Sequence, residues 1–254
     1  MLTNIHWAIP EIFLSVATIG LLTYGVIMSK MGLKVSQLAK QNYLSVIALL
    51  LTGLLILEEM YFLNSPVVGS VSISLDLLSC SSYTLLIKLV LVLSSSLILL
   101  LGISSTIKEK MYEFEFSQLI LLSTLGMMIL VSSSDLIMLY LGIELMSLSL
   151  YVLAALKREG DHSTEAGLKY FLLGALSSGI LLFGMVLIYT FTGETTFVGL
   201  NNYIWYGSDQ GELVVGALFI LISLIFKLGG VPFHMWVPDV YEGSPNIVTA
   251  YFAI

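Results

Sequence analysis

The chain has 254 residues, of which 57% are hydrophobic and only 11% charged, and its mean hydropathy is +0.99. That exceeds what a water-soluble core can hide and fits a membrane-embedded chain. The formal net charge of -7 is spread thinly over loops and makes no patch for nucleic acid or a basic partner, while a single cysteine, Cys80, excludes a disulfide framework, an iron–sulfur cluster and a closed zinc site.

A helix crossing about 30 Å of hydrocarbon needs roughly 20 mostly apolar residues. Seven such runs occur: Pro10 to Ser29, Tyr43 to Leu63, Tyr83 to Ile107, Ser117 to Ser133, Asp135 to Leu156, Ser163 to Thr192, and Glu212 to Tyr241. The expected fold is an all-α polytopic transmembrane bundle of about seven spans, with the start of an eighth after Pro245. The first run lacks a basic start and a small-residue cleavage site, so it reads as a retained span. Serine, glycine and threonine recur inside the runs, as in Ser94 to Ser96 and in "GALSSG" from Gly174. Small residues of this kind let helix backbones approach closely in lipid. Of the two long loops opposite the basic ones, Asn64 to Ser82 and Gly193 to Gly211, the second has room for a short interfacial helix around Asn201 to Tyr206.

Lys30, Lys34 and Lys40 follow the first run, Lys108 and Lys110 the third, and Lys157 and Arg158 the fifth. The loops after the second, fourth and sixth runs hold no lysine or arginine. This asymmetry places the basic loops on the cytoplasmic or matrix side and the N-terminus outside. The other three basic residues, Lys88, Lys169 and Lys227, fall within the runs themselves.

Charge inside a span is costly, about 3 kcal/mol on insertion scales, and marks function unless a partner or the interface absorbs it. Glu144, in "YLGIELMSLSLY", is close to mid-membrane. Lys169 lies near the start of its span, which Ser163 or Thr164 can cap, and its stem can reach the basic-side interface. Lys88 sits at a similar depth from the opposite side, where snorkelling is the expected behaviour. Lys227 lies about 22 Å along its helix, too deep to snorkel. Pro232 removes the amide that would bond the carbonyl of Leu228, and Gly229 and Gly230 add no side-chain restraint. The helix is therefore expected to break about one turn beyond the lysine, opening a hydrated cavity with Lys227 at its edge, because irregular backbone at this depth needs protein or water around it. His234 follows, with a titration range suited to proton relay. Asp135 is the expected N-cap of the fifth span, and Asp239 and Glu242 sit near the interface in structural roles. Two unit charges 4 Å apart at an effective dielectric near 20 interact by about 4 kcal/mol, and about half that at 8 Å. That is enough for Glu144 to decide whether a buried Lys227 keeps its proton. The spacing alone leaves open whether the two side chains face each other.

"PEIFL", "LIMLYLGIELMSLSLYVLAA", "STEAGLKYFLLGALSSGILLFG" and "FKLGGVPFHMWVPDVYEGSPNIVTAYFAI" together resemble subunit 2 of respiratory complex I, subunit N in bacteria, along essentially the whole chain. "PFHMWVPD" alone fits the wider antiporter-like family; "VYEGSP", "PEI" and "STEAGLKY" point to subunit 2, and "STEAGLKY...SSGILLFG" is closer to mitochondrial versions. The resemblance implies a proton-translocating membrane-arm subunit in which Glu144, Lys169, Lys227 and His234 belong to a central hydrophilic axis. It implies a single membrane domain over 1–254, with the first three helices in 1–115 and most of the first antiporter-like unit, truncated in its last helix, in 116–254. NADH, FMN, iron–sulfur clusters and ubiquinone are then bound by other subunits, and this chain holds no cofactor or metal. The implied partners are other membrane-arm subunits, including antiporter-like subunit 4 and the small subunits on the quinone side, together with lipid. The implied location is the mitochondrial inner membrane, with the N-terminus towards the intermembrane space. A cation/proton antiporter subunit and a structural fragment without pumping are the alternatives. Because family members continue beyond "NIVTAYFAI" with many more helices, a split subunit is expected, with a second polypeptide supplying the rest. Mass spectrometry of the purified complex checks this: two polypeptides are expected, and one long intact subunit would exclude the split.

Overall fold

The computed structural model describes residues 8–30, 34–63, 73–74, 77–108, 114–157, 160–206 and 211–254. Lys110 and Arg158, two of the residues behind the charge asymmetry, lie outside the described residues, as do most of the loop from Asn64 to Ser82 and part of that from Gly193 to Gly211. Helices α1 (Ile9–Lys30) and α2 (Lys34–Leu63) are followed by a short antiparallel ladder, β1 (Ile73–Ser74) with β2 (Ser79–Cys80). Then come α3 (Ser82–Lys108), α4 (Glu115–Ser132), α5 (Leu136–Ala154), α6 (Asp161–Thr192), α7 (Phe197–Tyr206), α8 (Gly211–Lys227), α9 (Trp236–Gly243) and α10 (Asn246–Phe252). The first six expected spans match α1 to α6 closely, except that α2 begins well before its apolar run, at Lys34. The seventh is α8 and α9 with a break between them, and α10 is the start of the eighth. The short helix expected around Asn201 to Tyr206 is α7, which starts earlier, at Phe197.

Among the described residues, six helices are long and apolar enough to cross a membrane. The chain is a multi-pass membrane protein. Its exposed surface is correspondingly apolar: Val16, Ile19, Leu97, Leu101, Leu172 and Leu176 are each at least 60% exposed. Polar groups turn inward instead. Many hydroxyls bond their own helix one turn back, as Ser95 Oγ does to the Leu91 carbonyl at 2.7 Å and Ser96 Oγ to that of Leu93 at 2.7 Å. In hydrocarbon this is the cheapest way to satisfy a hydroxyl without a partner helix.

Two apolar clusters organise the bundle. The larger joins α1 to α4 and reaches α10, through Leu14, Leu49, Leu85, Leu121 and Val248. The smaller joins α5, α6 and α8 through Ile143, Leu181, Met185 and Leu213. Helices α4 and α5 hinge the two clusters together and pack closely on each other. Glycines set that approach: a Cβ on Gly126 would stand 2.6 Å from the backbone nitrogen of Met146, and one on Gly142 2.9 Å from that of Leu130. Helices α6 and α8 meet the same way, with Gly184 against the Gly216 carbonyl.

The three non-basic connections meet at one end of the bundle. Ser134 N–H donates to the Leu77 carbonyl at 3.0 Å, Leu136 N–H to that of Thr195 at 3.0 Å, and Phe197 N–H to that of Ser134 at 3.1 Å. The loops after the second, fourth and sixth spans therefore share a face, as the basic-residue asymmetry requires. Asp135 occupies the N-cap position of α5, but its side chain makes no capping bond. The backbone ties to Thr195 and Leu77 hold this turn in its place, which corrects the expected capping role. Neither Ser163 nor Thr164 caps α6: the helix starts two residues earlier, at Asp161, so both lie inside it, and Ser163 Oγ donates to the Ala154 carbonyl at 2.7 Å, pinning α6 to the end of α5.

The closeness of α4 and α5 has a direct test. Gly126→Ala is expected to strain this contact by about 1–3 kcal/mol or more and reduce the assembled subunit on native gels. Gly20→Ala, with nothing within 4 Å of the added atom, is expected to assemble normally.

Candidate functional site

Helix α8 ends at Lys227 itself. Leu228 still donates its N–H to the Leu224 carbonyl at 3.0 Å, but Gly229 takes the left-handed conformation, with φ of 66°. Its N–H then bonds the Phe226 carbonyl at 3.1 Å, and Gly230 N–H bonds that of Ile225 at 2.9 Å. These two reversed bonds form a Schellman terminus, which glycine adopts without a Cβ penalty. The break therefore comes earlier than expected and from Gly229, before Pro232 has any amide to withhold. Trp236 Nε1 donates to the Phe226 carbonyl at 3.1 Å, so the segment beyond the break also satisfies a carbonyl freed by it. The lysine sits at the C-terminal, negative end of the α8 dipole, a placement that favours a cation.

Lys227 Nζ donates to Ser178 Oγ of α6 at 3.0 Å and to Ser147 Oγ of α5 at 3.1 Å. Ser147 lies one turn from Glu144 on α5, and Glu144 acts on Lys227 electrostatically. The two charges make no direct ion pair; serine hydroxyls stand between the helices. Glu144 Oε1 is buried without a hydrogen-bond partner. The Tyr151 hydroxyl adjoins both serines and lies against Gly174, where no side chain could fit. The ring of Tyr151 meets that of Tyr170 edge-on at 4.7 Å, and Tyr170 stacks on Trp236 at 5.0 Å. An aromatic wall thus runs from the lysine towards the basic-loop end.

At that end the third expected residue has its own partners. Lys169 Nζ lies 2.7 Å from Asp239 Oδ2 of α9 and 2.7 Å from Glu165 Oε1, one turn back on α6. These three line a cavity of about 400 Å³ with His162, Glu242 and Gly243. This cavity is distinct from the one expected beside Lys227, which is not among its lining residues. Asp239, assigned only an interfacial structural role from the sequence, is the partner of a lysine within a span. His234 is exposed on this chain, its backbone carbonyl accepting from Val237 N–H at 3.1 Å, and it does not join either group.

A second cluster of charge lies in the first bundle. Lys88 does not snorkel: its side chain is 2% exposed and its Nζ lies 2.5 Å from Glu11 Oε1. Glu59, 2% exposed on α2, acts electrostatically on both. Inward-facing carboxylates offer the ammonium a stronger partner than distant water, which is why its stem turns into the bundle. Neither Glu11 nor Glu59 carries a signal in isolation, since each sits near the end of an apolar run where carboxylates usually meet solvent.

The family model for the transmembrane segment of NADH:quinone oxidoreductase and Mrp antiporters matches residues 133–254. NADH-ubiquinone oxidoreductase chain 2 of Marchantia polymorpha is 43% identical over 253 residues, covering 96% of this chain and 50% of that protein. NADH-quinone oxidoreductase subunit N of Pelagibacter ubique is 42% identical over 251 residues, covering 99% and 50%. This chain belongs to the subunit N and chain 2 family. It spans about half the length of the curated relatives it matches. Among solved structures, a chain of respiratory complex I from Thermus thermophilus with bound aureothin superposes with a TM-score of 0.74 at 25% identity, over 96% of this chain and 49% of that one. The broken helix and Glu144, Lys169, Lys227 and His234 all fall within the matched segment.

The lysine's two hydroxyl partners have an energetic consequence. Removing both in a Ser147→Ala, Ser178→Ala variant leaves a half-buried charged donor without these acceptors, at about 1–3 kcal/mol. Thermal inactivation of the assembled complex is expected at lower temperature for the double variant, and each single variant is expected to show less than half of that loss because one acceptor remains.

Proposed function

We propose that this chain is a proton-translocating part of the membrane arm of an NADH:ubiquinone oxidoreductase. The observation that carries the proposal is Lys227 at the terminus of a broken membrane helix, held by hydroxyls from two other helices and within electrostatic reach of Glu144. Such a lysine has partners in its charged state, and it has a neighbouring carboxylate whose own charge alters how firmly the proton is held. At an effective dielectric near 20, gaining or losing that negative charge is worth about 2–4 kcal/mol over 8 to 4 Å. The site is therefore a two-position store whose occupancy follows the state of Glu144.

Protons reach it from the cavity at the basic-loop end. His162, Glu165, Asp239 and Glu242 line a space there with room for several waters, and Lys169 is the first cation they meet. From Lys169, water and the Tyr151 hydroxyl complete the route to Ser147, Ser178 and Lys227. His234, following the break, takes the proton onward to a neighbouring subunit, for which its outward exposure on this chain is suited. The chain itself performs no redox step. NADH, FMN, iron–sulfur clusters and ubiquinone belong to other subunits, and the energy of their reaction arrives as movement of charge along the membrane arm. Antiporter-like subunit 4, the small subunits on the quinone side and lipid are the proposed neighbours. The proposed location is the mitochondrial inner membrane, with the basic loops in the matrix and the N-terminus towards the intermembrane space, in keeping with the distribution of basic residues.

Lys227→Ala tests this reading in the assembled complex. NADH:quinone activity coupled to proton uptake by proteoliposomes is expected to fall about tenfold or more, since a relay group positioned in this way contributes factors of that order. Full coupled activity in an assembled Lys227→Ala complex would exclude the assignment.

A further inference from the structure

The cluster of Glu11, Glu59 and Lys88 lies apart from the site above, within the first three helices. Glu11 is two residues into α1, Lys88 six into α3 and Glu59 four from the end of α2, so all three share a level about 3–9 Å inside the same end of the bundle. That end is the one where the non-basic loops meet. The three residues are 6%, 2% and 1% exposed, in the order Glu11, Glu59, Lys88. Lys88 Nζ pairs with Glu11 Oε1, whereas Glu11 Oε2 and both carboxylate oxygens of Glu59 are buried with no hydrogen-bond partner, so it is the ammonium that separates the two acids.

Charge arithmetic then decides the state. With every group ionised, two carboxylates and one ammonium leave a net charge of -1 among apolar side chains, which is costly anywhere and most of all inside a membrane protein. Neighbouring groups do not relieve it. Glu58, next along α2, is exposed and would add negative charge, and no second lysine or arginine is described among the groups acting on Glu59. Burial pushes the Cys80 thiol, on β2 beside the cluster, up to about 11, so it stays neutral and adds no charge. One bound proton brings the trio to neutrality.

We propose that Glu11, Lys88 and Glu59 form a second protonation site, with Lys88 and Glu11 as an ion pair and an exchangeable proton held on Glu59. The site is built from three helices that the Glu144–Lys227 arrangement does not use, and its ligand is the proton alone. Losing the proton leaves Lys88 shared between two carboxylates; gaining it returns the ammonium to Glu11. On the orientation proposed above this store faces the intermembrane space, but its chemistry is independent of that orientation and of pumping through Lys227.

Infrared titration of the purified complex containing this chain is the test, comparing wild type with Glu59→Gln, Glu59→Asp and Lys88→Met. The expected wild-type spectrum near neutral pH contains a protonated-carboxyl band that moves in deuterated water and is absent from Glu59→Gln. Glu59→Asp, the more conservative change, is expected to keep the band at a displaced frequency. Lys88→Met is expected to raise the carboxyl signal of the cluster about twofold, because without the ammonium both acids take up protons. Carboxyl bands identical in wild type and Glu59→Gln, or, if that variant fails to assemble, identical in wild type and Glu59→Asp, would overturn the proposal. Because the readout is protonation, it holds or fails separately from the coupled-activity result for Lys227→Ala.

Discussion

Hydrocarbon offers neither hydrogen bonds nor solvation, and this constraint underlies the whole architecture. A group that is not apolar is costly there unless it finds a partner within the chain or at an interface. The break after α8 shows how completely this is met. The Schellman turn at Gly229 uses the last carbonyls of the helix, and the Trp236 indole takes another bond there. The lysine at the terminus is held by hydroxyls from α5 and α6. A helix end that would be intolerable facing lipid becomes a place where a lysine can be held, because three other segments close around it.

The same constraint produces close packing without large side chains. Since lipid tails are as apolar as leucine, helices gain little by burying leucine against leucine and gain more by bringing backbones close. Gly126 against Gly142, and Gly184 against Gly216, provide those contacts at the α4–α5 and α6–α8 crossings. The helices so joined include the ones that carry Glu144, Ser147, Ser178 and Lys227. Rigid backbone contact and the polar site are therefore two aspects of one arrangement. The glycines fix the distances over which the charged groups act on each other.

Much of the fold is legible in the sequence, because a span's length and apolarity are local properties: each of the first six runs maps onto one helix and the seventh onto a broken pair. The break is legible too, although reasoning from the proline alone places it too late: Gly229 reverses the backbone before Pro232 matters. The site is legible only in its charges. Glu144, Lys169 and Lys227 stand out because ionisable groups in apolar runs are conspicuous, whereas Ser147, Ser178 and Asp239 do not. A serine in a membrane helix normally bonds its own backbone, and an aspartate near a helix end normally meets water. Only their partners, from α6 and α8, distinguish them. Lys88 deceives for the same reason, since the carboxylates that draw it inward come from α1 and α2.

Composition within a window of about 20 residues is enough to set the solvent, the number of spans, which loops share a face and where charge enters the membrane. Which charges meet is a matter for packing alone. Helices in a bundle can be rotated without changing their hydropathy, so the pairing of Lys227 with Ser147 and Ser178, of Lys169 with Asp239, and of Lys88 with Glu11 depends on contacts between segments far apart in the chain.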